Sequence, residues 1–318
     1  MKKILITGAL GQIGSELTGK LRSIYGTNNV IATDIRTVEN EILESGPFEL
    51  LDVTDGNSMY RMANHYQIDT IIHMAALLSA TAETNPLFAW NLNMGGVLNA
   101  LETAKECGCQ FFTPSSIGAF GPTTPKVNTP QETIMRPTTM YGVNKIAGEL
   151  LADYYYLRFG VDTRGLRFPG LISYMTPPGG GTTDYAVEIF YEAIKNGRYT
   201  SYINQGTFLD MMYMPDALNA IVDLMEANPA HLTHRNAYNV TGMSVDPDAI
   251  AAEIRRYIPE FEITYKIEPI RQKIADSWPD SIDASAARSE WGFKTNYDLA
   301  RMTIDMLEKL GLKMTIAS

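Results

Sequence analysis

The run Ile4-Leu5-Ile6-Thr7-Gly8-Ala9-Leu10-Gly11-Gln12-Ile13-Gly14 constrains the fold more than any other feature of the chain. An apolar stretch of strand length stops at Gly8, and a helical pattern begins at Gln12. Three glycines therefore occupy a strand–turn–helix junction. Such a junction points backbone N–H groups and the positive end of a helix at one place. Glycine omits the Cβ that would hold a pyrophosphate away, and Gly14 falls where the helix packs on the sheet. Alone, the pattern also suits a tight turn that binds nothing. The second strand, Val30–Asp34, changes that balance because it ends in an acid 26 residues after Gly8. A carboxylate there accepts hydrogen bonds from the adenosine ribose and repels a 2′-phosphate. The expected cofactor is NAD, held by Gly8, Gly11, Gln12, Ile13, Gly14 and Asp34, with Ile35 and Arg36 beside the ribose. Arg36 is discordant, since an arginine at this place accommodates NADP.

The rest of the first half keeps the same rhythm. Strands are expected at 3–7, 30–34, 48–51, 70–73, 110–113 and 163–168, with helices at 12–24, 58–66, 86–106 and 138–159. Strands alternating with helices predict an α/β fold with a parallel, doubly wound Rossmann sheet. Ligands of such sheets bind beyond the carboxyl ends of the strands. After Phe168 the rhythm breaks. Residues 169–183, with Pro177-Pro178-Gly179-Gly180-Gly181, read as a mobile loop, followed by helices at 185–196 and 215–226. A chain of 318 residues suits two units. These are an NAD-binding Rossmann domain over 1–168 and a smaller α/β substrate lobe over 169–318, some of whose segments return to the first.

Tyr141-Gly142-Val143-Asn144-Lys145 places a phenol and an ammonium at i and i+4 on one helix face. A free tyrosine titrates near ~10, and a neighbouring ammonium favours its phenolate. The pair suits a general base for an alcohol proton. By itself Tyr-x-x-x-Lys is a common surface pattern. Its place after the strand that ends at Thr113-Pro114-Ser115-Ser116 makes it informative. A hydroxyl at Ser116 holds the reacting oxygen beside the phenol. Ser115 competes for that role, or serves as a turn hydroxyl.

Composition excludes several classes. Lys+Arg of 26 against Asp+Glu of 36 gives a net charge of −10, which disfavours nucleic acid as a partner. No segment has the length of a membrane span, and the N-terminal apolar run is interrupted by Gly8 and Gly11, unlike a signal peptide. A cytoplasmic enzyme is expected. Cys107 and Cys109, one residue apart at the start of a strand, are expected to point to opposite faces as reduced thiols. Of four histidines, His65, His73, His231 and His234, only the last two are close, and no third ligand joins them. No metal site is expected.

Taken in order, Thr7-Gly8-x-x-Gly-x-x-Gly14, Asp34, Asp52-Val53, His73-Met74-Ala75-Ala76, Ser115-Ser116, Tyr141-x-x-x-Lys145 and Arg167-Phe168-Pro169-Gly170 resemble the extended short-chain dehydrogenases of the UDP-galactose 4-epimerase type. The likeness runs along essentially the whole chain. It implies that Asp52 and Val53 flank the adenine and that Ala75, Ala76 and Leu77 line the diphosphate and nicotinamide ribose. Asn93 would be a buried support of the site, Phe168 and Pro169 would lie near the nicotinamide, and Ser116 would be the catalytic hydroxyl with Tyr141 and Lys145. Three segments are similar to one subgroup, the short-chain type of L-threonine 3-dehydrogenase: Ala75–Ala80, the 178–186 loop and Ser277–Asp283. That likeness implies that Ser79, Thr182, Thr183 and Trp278, with Ser116 and Tyr141, contact L-threonine. In that subgroup a threonine often stands where this chain has Ser116, and either hydroxyl donates the same hydrogen bond. The resemblance also implies a homodimer built from helices 86–106 and 138–159, and a product, 2-amino-3-oxobutyrate, that passes to a CoA ligase or decarboxylates to aminoacetone. Because no metal ligands are expected, NAD-linked turnover should survive EDTA; a loss of activity that added zinc restores would contradict this reading.

Overall fold

A computed structural model describes residues 1–37, 41–175 and 181–311. The first half supplies strands β1 (Ile4–Thr7), β2 (Val30–Asp34), β3 (Phe48–Leu50), β4 (Thr70–His73), β5 (Gln110–Ser116) and β6 (Thr163–Phe168). Between them lie helices α1 (Gln12–Tyr25), α2 (Glu41–Glu44), α3 (Gly56–His65), α4 (Ser79–Thr84), α5 (Pro86–Cys107) and α6 (Met140–Phe159). The second half adds β7 (Gly170–Ile172), α7 (Tyr185–Asn196), β8 (Arg198–Ser201), β9 (Leu209–Tyr213) and α8 (Met214–Glu226). It continues with β10 (Tyr238–Asn239), β11 (Met243–Val245), α9 (Pro247–Arg255), β12 (Glu262–Tyr265), α10 (Pro269–Ala275), α11 (Ser285–Trp291) and α12 (Leu299–Lys309).

The main sheet has seven strands in the order β10-β6-β5-β4-β1-β2-β3, and every pairing in it is parallel. This is the doubly wound sheet expected from the strand–helix alternation. Every residue of β1, β2, β4 and β6 is buried, as a sheet covered on both faces requires. Successive side chains go to opposite faces. Ile4, Ile6, Val30 and Ala32 join one core with Leu17 of α1 and Ile221 of α8, while Leu5, Ile31 and Ile71 join the other with Met59 of α3 and Leu101 of α5. Strand order reverses between β1 and β4, so the connections leaving their carboxyl ends diverge and open a crevice.

The second half builds a smaller lobe on two sheets, β11-β9-β7 and β12-β8. Its core includes Tyr185 and Phe190 of α7, Leu209 and Met211 of β9, and Met302 of α12. Strand β10 pairs with β6 at the edge of the large sheet. The chain thus crosses back after entering the lobe.

Local details differ from the sequence reading for physical reasons. Strand β5 runs on to Ser116, past Pro114, which has no N–H to give a ladder. Its pairing with β4 stops at Phe112, and beyond that only β6 borders it, so the proline sits where one side of the strand is open. The expected loop 169–183 begins as strand β7, paired with β9; its residues 176–180, including Pro177, Pro178, Gly179 and Gly180, lie outside the described residues. The two cysteines also depart from expectation. Cys107 closes α5, Gly108 at φ 67° turns the chain, and Cys109 precedes β5 with its Sγ donating to Ile68 O at 3.0 Å. Both are unoxidised, and burial pushes Cys109 up to about 12. No helix among the described residues is long and apolar enough to cross a membrane.

Asp210 of β9 is 1% exposed and accepts hydrogen bonds from Thr241 Oγ1 (2.7 and 2.8 Å) and Ile282 N (2.8 Å). Burial raises its carboxyl from 3.8 to about 7. The folded group therefore holds its proton over a pH range where the unfolded chain has lost it. Its stabilising contribution is full below about pH 4 and is lost as pH rises through about 7. Asp210→Asn can accept from Ile282 and donate to Thr241. It should raise the thermal midpoint at about pH 8 and change it little at about pH 5; destabilisation at the higher pH would contradict this.

Candidate functional site

The glycine turn is dictated by close approach. Gly8 has φ +66°, and a Cβ on it would lie 2.7 Å from Ala75 N at the end of β4. A Cβ on Gly14 would lie 2.2 Å from Gly8 O. Gly11 caps α1 without a side-chain hydrogen bond, and no acid stands in the first turn. The helix end is left for an anion, which suits the pyrophosphate of NAD.

Asp34 is buried at the end of β2, where Oδ2 accepts from Leu10 N (3.1 Å) and ties the turn to that strand. Oδ1 accepts from Arg36 N (3.2 Å) and Arg36 Nε (3.4 Å). The discordant arginine is thus paired with the acid itself. Ile35 stands exposed beside them. Beyond β3, Asp52 is exposed and accepts from Thr54 N (2.9 Å) and Thr54 Oγ1 (2.7 Å), while Val53 is buried against Gly96.

Ser116, Tyr141 and Lys145 come together at the end of β5. A Cβ on Gly118 would lie 3.1 Å from Tyr141 Cδ1 and 3.5 Å from Ser116 Oγ, which places both residues around one glycine. The start of α6 presses on the same turn, since a Cβ on Gly142 would meet Gly118 O at 2.2 Å. Thr139 caps that helix by accepting from Gly142 N at 3.1 Å. Lys145 Nζ donates to Pro114 O at 2.7 Å and stands 5.3 Å from the centre of the Tyr141 ring. The two neighbouring serines both border the cleft but differ in their partners. Ser115 Oγ donates to the buried carboxylate of Glu149, whereas Ser116 Oγ accepts from Gly118 N at 3.1 Å. His73, fully buried and bonded through Nδ1 to Thr7 Oγ1 at 2.9 Å, is pushed down to about 3 by burial and by the Lys145 charge. It is neutral near pH 7.

These groups open on a cleft of about 240 Å³ between the lobes. Its floor is the glycine turn, with Gly8, Gly11, Gln12, Ile13 and Gly14. Ala76, Ser79, Ser116, Tyr141 and Lys145 form one wall, with Phe168 and Pro169 adjoining. Thr182, Thr183 and Trp278 face them from the small lobe. Trp278 also belongs to that lobe's core, so packing and cleft lining are not alternatives here. Asp34, Ile35, Arg36, Asp52 and Val53 lie outside this cleft, along the strand ends where an adenosine would extend. Asn93 is behind the wall. Its Oδ1 accepts from Leu77 N (2.8 Å), and its Nδ2 donates to Leu77 O (3.3 Å) and Asn144 Oδ1 (3.0 Å). With Ala75, His73, Asn144 and Lys145 it borders a small cavity of about 30 Å³, roomy enough for about one water.

The sequence reading missed Met74, Leu78, Ile117, Gly170, Leu171 and Asp184, all of which line the cleft. Most are apolar neighbours of residues that were found. Asp184 is different, because it and Lys145 are the charged residues on the cleft wall among the described residues. Its Oδ2 accepts from Gly181 N at 2.7 Å, and its position at the start of α7 was the available clue.

A family model described as the NAD dependent epimerase/dehydratase family matches residues 4–241. An uncharacterized epimerase/dehydratase of Staphylococcus aureus (strain MRSA252) is 61% identical over 317 residues, covering 99% of each chain. The X-ray structure of an L-threonine dehydrogenase from Clostridium difficile superposes with a TM-score of 0.97 at 66% identity, covering 98% of both chains. The holo form of an L-threonine dehydrogenase from Cupriavidus necator matches with a TM-score of 0.94 at 49% identity, covering 97% of this chain and 99% of that one. A nucleoside-diphosphate-sugar epimerase from Agrobacterium tumefaciens, at 19% identity and a TM-score of 0.85, shares the fold alone.

Proposed function

The chain belongs to the NAD dependent epimerase/dehydratase family, and we propose that within it this protein oxidises the β-hydroxyl of L-threonine to L-2-amino-3-oxobutyrate. The carrying observation is the cleft itself. It joins the glycine turn, the Ser116–Tyr141–Lys145 group and a small-lobe wall of hydroxyls, with one cation and one anion along it. A small zwitterion suits that balance. A sugar nucleotide brings a second diphosphate, for which Lys145 is the only cation on the wall among the described residues. The 66% identical L-threonine dehydrogenase, matched along 98% of both chains, supports the same substrate.

When bound, NAD supplies the acceptor for the hydride leaving Cβ. Tyr141 takes the hydroxyl proton as the carbonyl forms. Lys145, fixed by Pro114 O, places an ammonium beside the ring and stabilises the phenolate form of Tyr141 that accepts this proton. Ser116 holds the substrate oxygen next to the phenol. Thr182 and Thr183 close the opposite side, where hydroxyls can satisfy the carboxylate of the amino acid. The product is proposed to pass to a 2-amino-3-oxobutyrate CoA ligase or to decarboxylate to aminoacetone.

A homodimer is part of the proposal. Val143, Leu150 and Leu157 recur at seven-residue intervals on α6 and stand exposed, Leu157 to 80%, and Leu87 and Leu98 are exposed on the adjoining α5. An apolar face of this kind on two packed helices is the expected seat of a two-fold contact. Sedimentation should give a dimer for the native chain and a monomer for Leu150→Glu combined with Leu157→Glu; a monomeric native chain would remove this part of the reading.

The reaction is tested by mixing purified protein with NAD and L-threonine and following NADH, with L-serine, L-allo-threonine and UDP-galactose in parallel. NADH is expected with L-threonine above the others, and Tyr141→Phe should lower kcat by about 10²–10⁴-fold. Interconversion of the UDP-sugar without NADH from any amino acid would overturn the assignment.

A further inference from the structure

Helix α6 places Tyr141, Lys145 and Glu149 at one-turn intervals, and β5 ends in the consecutive residues Pro114, Ser115 and Ser116. The two triplets are fastened to each other. Lys145 Nζ donates to Pro114 O at 2.7 Å, and Ser115 Oγ donates to Glu149 Oε1. Tyr141 and Ser116 then meet around Gly118.

Glu149 is itself held from the next strand. Arg167 of β6 donates through Nε to Glu149 Oε1 (3.0 Å) and through Nη2 to Glu149 Oε2 (2.9 Å). Its Nη1 donates to Gln131 O (2.9 Å) and Asn239 Oδ1 (3.2 Å). Ser115, Glu149 and Arg167 are each 5% exposed, and Ser115 and Arg167 stand opposite each other in the β5–β6 register. A buried carboxylate clamped in this way resists displacement, because movement leaves charge unpaired where water cannot compensate. Alternate residues of a strand face opposite sides. The bond made by Ser115 therefore sets the rotation of β5 about its axis, and with it the direction in which Ser116 points.

We propose that Ser115 and Glu149 are positioning residues: the tether from Ser115 through Glu149 to Arg167 sets the placement of the Ser116 hydroxyl against Tyr141 and Lys145. The proposal rests on reading those three residues as the reacting group. It makes Ser115 a participant that acts through its neighbour, without contact with the reacting atoms.

The test compares Ser115→Ala, Ser115→Thr, Glu149→Gln and the Ser115→Ala/Glu149→Gln double variant, with folded sites counted by NAD binding. Ser115→Ala should lower kcat about 10- to 100-fold, the scale expected of a misplaced reacting group, with KM for NAD and for L-threonine moving less than about threefold. Ser115→Thr keeps the hydroxyl and should restore most of the rate. The double variant should be no slower than the slower single, because both break one tether. A Ser115→Ala kcat within about twofold of the native value would overturn the proposal, as would losses that multiply in the double variant. A purely structural role would reduce the number of folded sites and leave kcat per site unchanged. If Glu149→Gln fails to fold, the two Ser115 variants still decide. If the native chain makes no NADH from L-threonine, the functional reading falls, and the same variants are judged on interconversion of UDP-galactose, which would use the same three groups.

Discussion

A single buried ion pair, Arg167 with Glu149, gathers one helix, three strands and a loop at one point. Glu149 belongs to α6, Arg167 to β6, and their other partners are Ser115 on β5, the Gln131 carbonyl and Asn239 on the returning strand β10. Breaking such a pair from one side leaves an uncompensated charge, at a cost of about 3–5 kcal/mol. Strand β5, helix α6 and the edge of the sheet therefore keep one relative placement. The residues that follow along both strands, Ser116 and Phe168, line the cleft, and Pro114 and Ser115 border it too.

A second constraint is steric and lies at the other side of the cleft. Gly8 brings the end of β1 onto Ala75 at the end of β4, and Gly14 brings α1 onto Gly8. This contact sits at the point where strand order reverses, so the helix end and the crevice coincide. The cleft is framed by two local contacts: glycines without Cβ atoms on one side and a clamped carboxylate on the other. The small lobe then supplies what the Rossmann sheet lacks, a wall of hydroxyls with an acid and the edge of Trp278.

What was legible in the sequence follows the range of the forces involved. Strand–helix alternation, the glycine turn and the i, i+4 spacing of Tyr141 and Lys145 are local and could be read directly. The choice of Ser116 over Ser115 needed more than spacing, because it turns on a partner, Glu149, 34 residues away from Ser115. Strand β10 escaped because two residues carry no period, and its pairing with β6 is decided by tertiary fit. The strand through Pro114 depends on where β4 stops pairing, which composition does not encode. The cysteines were misread because their separation was treated as strand alternation, whereas Gly108 turns the chain between them. Asp184 was passed over because an acid at a helix start usually serves the helix, while here it also borders the cleft.

The destination of the hydrogen leaving the substrate distinguishes oxidation of L-threonine from interconversion of a nucleotide sugar. Purified protein can be given NAD and L-threonine carrying deuterium at Cβ, and the reduced cofactor examined by mass spectrometry. Transfer of that deuterium into NADH, with slower turnover than for the unlabelled amino acid, is the predicted result. Unlabelled NADH, or none at all alongside interconversion of a nucleotide sugar, would contradict the assignment of Tyr141, Lys145 and Ser116 to the oxidation of L-threonine.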